Sequence, residues 1–263
     1  MNPERKIQPF CPNEIAVLSK KLSQQGIHHV AFDLDDTLLN TRLVFIQAMN
    51  EALSILDYNN DPKLIAQFKE AISKLRSEFQ VNPAVIHVPL VNCALSLGLD
   101  HDDPKIAKAR DRINQIYDGR DQYPIFPRAR ETVTAFTEAG AVPVLVSHGA
   151  DPYTDIKLRQ ANMAHLFAHR ASLDPNVDKA SQWREVFNKL RIDPKKVLVV
   201  GNNLKEDVFP ALRLGSKVVW VNKRLQAISS AAIENNFATG LAVIEQIDQL
   251  IPVLIEKAPP QTR

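Results

Sequence analysis

Short apolar runs alternate with amphipathic stretches along most of this chain. The runs are almost continuously apolar, as expected of parallel strands covered on both faces. They lie at 29–33, 142–147, 165–171, 197–201 and 218–222. The stretches between them carry apolar residues at helical spacing, and several end at a glycine, which is typical of a helix C-terminus. Strands that alternate with helices predict an α/β fold with a doubly wound, Rossmann-like parallel sheet.

The interval between the first and second runs follows a different pattern. Residues 42–125 contain only helical patterns, and Asp61-Pro62 and Asp103-Pro104 have the form of helix starts. An all-helical interval of this length is too long for a simple crossover between neighbouring strands. We therefore predict a helical cap subdomain over 42–125, inserted into an α/β core made of 1–41 and 126–263.

Two further helices are predicted outside this interval. An extra helix at about 13–26 precedes the first strand. Near the C-terminus, apolar residues from Val243 to Ile255 recur at helical spacing. The spacing of these C-terminal residues predicts a helix that begins near Val243.

Composition and charge restrict the classes of function. The chain has 263 residues, of which 45% are hydrophobic and 24% charged, with a formal net charge of +2. This charge gives no basic field for nucleic acid or an anionic membrane, and no run is long enough to span a bilayer. Cys11 and Cys93 are far apart and form neither a disulfide framework nor a metal-binding spacing. The N-terminus has no apolar signal core. We expect a cytoplasmic protein that binds neither nucleic acid nor membrane.

The segment AFDLDDTL, residues 31–38, places three carboxylates directly after the first strand. They belong to Asp33, Asp35 and Asp36. In an open α/β sheet, ligands bind beyond the carboxyl ends of the strands. Neighbouring carboxylates raise each other's pKa unless a cation lies between them. Mg²⁺ beside a phosphate is a common solution, so this turn predicts a site for phosphoryl chemistry.

Complementary polar groups follow the other predicted strands. Ser147 ends the second strand, Lys179 stands just before a helix, and Asn202 and Asp207 follow the fourth strand. Because the carboxyl ends of parallel strands meet at one edge of a sheet, we expect these side chains to converge on the acidic turn.

Four segments in this order resemble the four motifs of the haloacid dehalogenase (HAD) superfamily hydrolases. They are DLDDT, VLVSHG, DK before a helix, and VLVVGNNLKEDV. The resemblance covers nearly the whole chain after residue 27, and it is to the phosphatase branch with a helical cap between the first and second motifs. The chain departs from the family at Arg128, where glycine is frequent, and at Asn202, where aspartate is usual.

The resemblance implies a role for each motif residue. Asp33 would attack phosphorus and form an aspartyl phosphate, and Asp35 would act as general acid and then general base. The residues implied to contact the substrate phosphate or shape its site are Thr37, Ser147, His148 and Lys179. For His148, a role in orienting its loop stays open, and Lys157 is the alternative to Lys179.

The resemblance also implies a Mg²⁺ site. Its ligands would be Asp33, Asp35 through its carbonyl, Asn202 and Asp207. An amide at position 202 brings an oxygen ligand without a negative charge, so we expect weaker metal binding, which Asp207 or Glu206 could offset.

The sequence thus predicts a Mg²⁺-dependent phosphatase that acts on a small phosphorylated metabolite, such as a sugar phosphate or nucleotide. Two alternatives stay open. The first is a catalytically weak binding protein that kept the HAD fold, for which Asn202 argues; the second is a phosphomutase. Trp183 and Trp220 are interpreted as packing residues. The sequence leaves the oligomeric state undetermined.

Overall fold

Parallel strands form the centre of the molecule. The computed structural model describes residues 8–58, 62–79, 84–149, 151–174, 177–223 and 240–256. Within these residues, six parallel strands form one sheet in the order β3-β2-β1-β4-β5-β6. The strands are β1 (His29–Phe32), β2 (Val142–His148), β3 (His169–Leu173), β4 (Val197–Gly201), β5 (Lys217–Val221) and β6 (Leu241–Ile244).

Helices connect and cover these strands, as predicted for an α/β fold. In chain order they are α1 (Pro12–Gln24), α2 (Thr41–Ile55), α3 (Pro62–Phe79), α4 (Ala84–Ser96), α5 (Pro104–Asp118), α6 (Ala129–Glu138), α7 (Asp151–Gln160), α8 (Lys179–Leu190), α9 (Phe209–Arg213) and α10 (Leu250–Ile255). A π-helical turn, Leu204–Val208, leads into α9. None of the helices in the described ranges combines the length and the hydropathy that crossing a bilayer requires.

The sheet is buried on both faces, which explains its almost continuously apolar strands. In β1, Val30 and Phe32 pack into one hydrophobic cluster, whereas Ala31 packs into the other. In β2, Leu145 and Val146 divide between the two clusters in the same way. Successive side chains of a strand point to opposite faces, so both faces must be apolar when both are covered.

The predicted strand positions need two corrections. The third strand is His169–Leu173 rather than 165–171, because Ala164–Leu166 forms a 3₁₀ turn. The C-terminal helix does not begin near Val243, since Leu241–Ile244 is a sixth strand paired in parallel with β5. Over four residues an apolar run does not distinguish helix from strand. The open edge of β5 supplies the backbone partners that decide the outcome.

The regular secondary structure between β1 and β2 consists of helices in its described part. Asp103 is confirmed as the N-cap residue of α5, since its side chain accepts a hydrogen bond from the Lys105 amide. Asp61 lies outside the described residues. A further helix, α4, was not predicted as a separate element; it carries Pro89 in its interior and no clear apolar stripe.

The chain enters and leaves this helical interval through two paired segments. The amide of Asn40 donates to the Pro124 carbonyl at 2.8 Å, and that of Phe126 donates to the Leu38 carbonyl at 3.0 Å. We call these two segments, 38–40 and 124–126, the paired linkers. The division into core and cap stays a prediction, and the paired linkers lie where it places the two boundaries.

Candidate active site

Asp33 lies at the carboxyl end of β1, where the order of the sheet reverses. On one side β1 pairs with β2, and on the other it pairs with β4. The Asp33 amide donates to the Val200 carbonyl at 2.9 Å, which extends the pairing with β4 to this residue. Such a reversal opens a crevice beyond the strand ends, and ligands of open α/β sheets bind there.

Both carboxylate oxygens of Asp33 accept hydrogen bonds from motif residues. Lys179 Nζ donates to Oδ1 at 2.5 Å, and Thr37 Oγ1 donates to Oδ2 at 2.8 Å. All three side chains are buried. Lys179 is the first residue of α8, whose N-cap Asp178 accepts from the Ser181 amide. The local capping of α8 therefore places the ammonium beside the carboxylate of β1.

Asp207 holds Lys179 from the other side. Its Oδ1 lies 2.7 Å from Lys179 Nζ, and its Oδ2 accepts from the Asn203 amide at 3.0 Å. Two buried carboxylates thus share one ammonium. The pKa of Asp33 is raised to about 7. Burial is the largest cause, the charge of Asp207 also raises the pKa, and Lys179 lowers it. Burial lowers the pKa of Lys179, but the charges of Asp207 and Asp33 raise it above its usual value.

The β4–α9 connection fits closely around Asp207. A Cβ at Gly201 would come within 2.6 Å of the Asp207 side chain, so only glycine fits there. Trp220 Nε1 donates to the Asn202 carbonyl at 3.0 Å, and Trp183 Nε1 donates to the Glu206 carbonyl at 2.7 Å. Both indoles are fully buried, which confirms that they are packing residues. They also anchor this loop through their single polar atom.

Asp35 is paired with a different cation. Lys157 Nζ, from α7, donates to its Oδ1 at 2.7 Å and to its Oδ2 at 2.9 Å, and Thr41 Oγ1 donates to Oδ1 at 2.5 Å. Burial raises the pKa of Asp35, but Lys157 and Thr41 together lower it by a larger amount, so the net shift of the pKa is downward. The two aspartates of the acidic turn therefore differ: burial outweighs the nearby cation at Asp33, whereas Lys157 and Thr41 together outweigh burial at Asp35.

The second motif lies at the end of β2. Ser147 is buried and opposes Ser172 of β3 in the strand register. His148 Nε2 lies 2.9 Å from the Val177 carbonyl and 3.2 Å from the Asp174 carbonyl. These contacts suit a histidine that orients the loop before α8. This role is the alternative to a phosphate contact that the sequence leaves open.

Asn202 faces a cavity of about 320 Å³ on the β4–β5 side of the acidic turn. Lys223, just after β5, also lines it and donates from Nζ to the Asp36 carbonyl at 2.8 Å. Burial lowers the pKa of Lys223 to about 7, whereas the charges of Asp36 and Asp33 act in the opposite direction.

The donors at the predicted metal site fit a hard cation only in part. Asp33, the Asp35 carbonyl and Asn202 offer oxygen atoms, which Mg²⁺ prefers. The two Asp207 oxygens instead contact Lys179 and the Asn203 amide. Within the described ranges, no group of three or more His, Cys, Asp or Glu side chains could hold a metal ion. Of the predicted ligands, Asn202 and the Asp35 carbonyl bring oxygen atoms without a negative charge.

The structure brings Lys179 and Asp207 next to Asp33 and Thr37, although both lie far from the acidic turn in sequence. Lys157, the sequence alternative to Lys179, lies close by but pairs with Asp35 instead. Sequence reasoning missed Thr41. It could have been found, since it lies six residues after Asp35 at the start of the helical interval.

Most of the chain matches a known protein family. The family model described as haloacid dehalogenase-like hydrolase matches residues 27–215. The chain is 25% identical over 201 residues to a phosphoglycolate phosphatase of Vibrio vulnificus, covering 74% of this chain and 83% of that one. It is 23% identical over 240 residues to a glyceraldehyde 3-phosphate phosphatase of Methanothermobacter thermautotrophicus, covering 86% and 98% of the two chains.

A solved structure shows a similar fold. A haloacid dehalogenase-like family hydrolase from Xanthomonas campestris superposes with a TM-score of 0.68 over 88% of this chain and 91% of that one, at 17% identity. At this identity the likeness concerns the fold.

Proposed function

Because the chain belongs to the haloacid dehalogenase-like hydrolases, we propose that it is a phosphatase that hydrolyses a small phosphomonoester through an aspartyl phosphate. The contact between Asp33 and Lys179 carries the proposal. In this contact a buried carboxylate, the proposed nucleophile, lies next to a buried cation at the edge of the sheet where ligands of such sheets bind. The relatives named as phosphatases of phosphoglycolate and glyceraldehyde 3-phosphate support a small phosphorylated metabolite as substrate.

In the first step, an oxygen of Asp33 attacks phosphorus and the bond to the leaving oxygen breaks. Lys179 attracts the anionic phosphate and offsets its repulsion from Asp33, with Ser147 donating to a phosphate oxygen. Thr37 holds the carboxylate in place through its hydrogen bond to Oδ2. Asp35 must take up a proton before this step, because Lys157 lowers its pKa, and it then gives that proton to the leaving oxygen.

In the second step, water attacks the phosphorus of the aspartyl phosphate. Asp35, now a carboxylate, takes the proton from this water, and the bond between phosphorus and Asp33 breaks. Inorganic phosphate leaves and Asp33 is restored. The lowered pKa of Asp35 suits the base form that this step needs.

We propose that Asp33, the Asp35 carbonyl and Asn202 hold Mg²⁺, with Asp207 contributing through Lys179 or directly. The bound cation would neutralise charge between the carboxylate and the phosphate. We further propose that the helical segment 42–125 forms a cap, reached through the paired linkers, which covers the substrate and excludes water.

Turnover of p-nitrophenyl phosphate with and without Mg²⁺, in wild type and in Asp33→Asn, tests the function. We expect Mg²⁺-dependent release of inorganic phosphate by the wild type and a loss of at least about a thousandfold in kcat for the variant, since the nucleophile is gone. Asp100→Asn, which alters an exposed carboxylate, is the matched control and should keep wild-type activity. A fully active Asp33→Asn protein would contradict the proposal.

A second candidate is a binding protein with little catalytic activity. The amide at Asn202 and the charge-poor donor set favour it. It predicts that phosphate esters bind but are not hydrolysed, whatever the concentration of Mg²⁺. A phosphomutase would instead transfer the phosphoryl group to another hydroxyl of an organic acceptor, without stoichiometric release of inorganic phosphate.

A further inference from the structure

The cavity on the β4–β5 side of the acidic turn is rich in groups that bind anions. We call it the basic cavity. Its polar and aromatic lining includes Asn40, Arg42, Phe126, Asn202, Asn222 and Lys223. Two of these side chains are cationic and three are carboxamides, whose NH₂ groups can donate hydrogen bonds.

Among the described residues, the basic side chains of the cavity form no ion pair with a carboxylate. In the ranges that the structure describes, neither Arg42 nor Lys223 forms a salt bridge. Lys223 Nζ donates to a neutral acceptor, the Asp36 carbonyl, and lies over the Phe126 ring. The Asp36 side chain, the acidic group in the lining, accepts from the Arg42 backbone amide at 2.9 Å. An anion entering the cavity would therefore meet two basic side chains that form no salt bridge within the described ranges.

The basic cavity adjoins the proposed nucleophile. Asn202 follows directly after Gly201, the last residue of β4, and the Asp33 amide donates to the carbonyl of Val200 in the same strand. The Asp36 carbonyl that accepts from Lys223 belongs to the acidic turn itself. Two lining residues, Asp36 and Asn202, thus belong to the acidic turn and to the loop after β4, the two segments next to Asp33.

The size of the basic cavity limits what this other end can be. Its volume of about 320 Å³ lies at the lower end of the range for small-molecule sites. A group of a few carbon atoms fits such a volume. A carboxylate suits a planar guanidinium with neighbouring amide and ammonium donors, because its two oxygens accept in parallel.

We propose that the basic cavity binds a carboxylate on the leaving group of the substrate, so that the preferred substrates are short phosphorylated carboxylic acids. This inference rests on the proposed phosphatase function and adds to it the class of substrate. In this proposal Arg42 and Lys223 are the specificity residues, because they are the basic side chains that line the cavity.

The test compares 2-phosphoglycolate with phosphoglycolamide, in which a neutral amide replaces the carboxylate. We expect kcat/KM of the wild type to be at least about tenfold higher for 2-phosphoglycolate than for phosphoglycolamide, because the amide loses one charge-assisted hydrogen bond. Arg42→Gln and Lys223→Gln should each reduce this ratio severalfold, and Lys223→Arg should retain most of it. Lys205→Gln removes an exposed lysine of the β4–α9 loop that does not line the cavity, and should keep the wild-type ratio.

The ratio of two substrates in one preparation does not depend on the fraction of active protein, so a partly unfolded variant still gives a valid result. Equal kcat/KM for acid and amide in a wild type that hydrolyses p-nitrophenyl phosphate would overturn this inference alone. Equal ratios in wild type, Arg42→Gln and Lys223→Gln would also overturn it. Failure to hydrolyse any ester would overturn the proposed function, and this inference with it.

Discussion

At the scale of single residues, the acidic turn separates two chemically similar side chains by their partners. Asp33 and Asp35 stand two positions apart, but Asp33 shares Lys179 with Asp207, whereas Asp35 has Lys157 to itself. Burial and a competing carboxylate keep the pKa of Asp33 high, and the cation keeps that of Asp35 low. Opposite shifts in neighbouring groups often mark different catalytic roles.

Replacing Lys157 should change the pH dependence of turnover. Lys157 holds the pKa of Asp35 low, so Lys157→Met raises it. If the protonated Asp35 is the acid of the first step, it then persists to higher pH. We expect the descending alkaline limb of kcat/KM to move upward by about one pH unit or more. Lys157→Arg keeps the charge and should leave the limb near its wild-type position. An unmoved limb in Lys157→Met would exclude this role of the ion pair.

Restoring the usual aspartate at position 202 should strengthen metal binding. Asn202→Asp adds a negative charge to a donor set that is poor in charge. We expect tighter Mg²⁺ binding by calorimetry, by about tenfold, and half-saturation of activity at lower Mg²⁺. Asn203→Asp, one residue further along the same loop, controls for a general increase in negative charge. Indistinguishable Mg²⁺ affinities of wild type and Asn202→Asp would count against the proposed metal site.

At the scale of elements, the β4–α9 connection has little freedom. Gly201 leaves room for Asp207, two indoles hold the loop carbonyls, and Asn203 accepts from the amides of Lys205 and Glu206 at the start of the π-helical turn. Long-range packing and local capping thus fix the same few residues. The position of Lys179 depends on this loop, because Asp207 is one of its two partners.

Adding a methyl group at position 201 tests this dependence. The Cβ of Gly201→Ala would meet Asp207 at 2.6 Å, so Asp207 must move away from Lys179. We expect the free energy of unfolding to fall by about 1–3 kcal/mol, as for other overpacked sites, and kcat to fall with it. At Gly149 an added Cβ would lie 3.9 Å from Thr154, an ordinary contact, so Gly149→Ala is the control for stability. Wild-type stability and kcat in Gly201→Ala would show that Asp207 has room to move without consequence.

At the scale of the whole molecule, the sheet edge and the helical interval meet at the acidic turn. Thr41, the first residue of α2, donates to Asp35 Oδ1, and Lys157 of α7 donates to the same carboxylate oxygen. A movement of the helical interval against the sheet would therefore act on Asp35 directly. The paired linkers are the segments through which such a movement must pass.

Ligand binding should accordingly change the protection of the paired linkers. If the helical interval closes over the substrate, hydrogen exchange at the amides of Asn40 and Phe126 should slow when Mg²⁺ and orthovanadate, a phosphate analogue, are added together. Amides in the centre of β4, already fully buried, provide the internal reference. Unchanged exchange at both linkers, with vanadate shown to bind, would argue against a closing cap.

The sequence by itself determined the features that depend on neighbouring residues or on a repeated pattern. Almost continuous apolar runs identified the central strands, and the helical spacing of 42–125 indicated helices there, although not α4 as a separate one. Asp103-Pro104 identified a helix start, because an N-cap side chain bonds to amides only a few residues away. The order of the polar groups after the strands predicted where the site lies, since parallel strands end at a common edge.

Only the tertiary structure decided the features that depend on partners distant in the chain. Val243 and Ile244 form a strand because β5 offers an unpaired edge. Lys179 and Lys157 carry the same charge, and only their places on α8 and α7 assign one to Asp33 and the other to Asp35. The basic cavity joins residues from the acidic turn, the β4 loop and the end of β5. Which charges meet is decided by packing, because electrostatic energy depends on distance in space and not on separation along the chain.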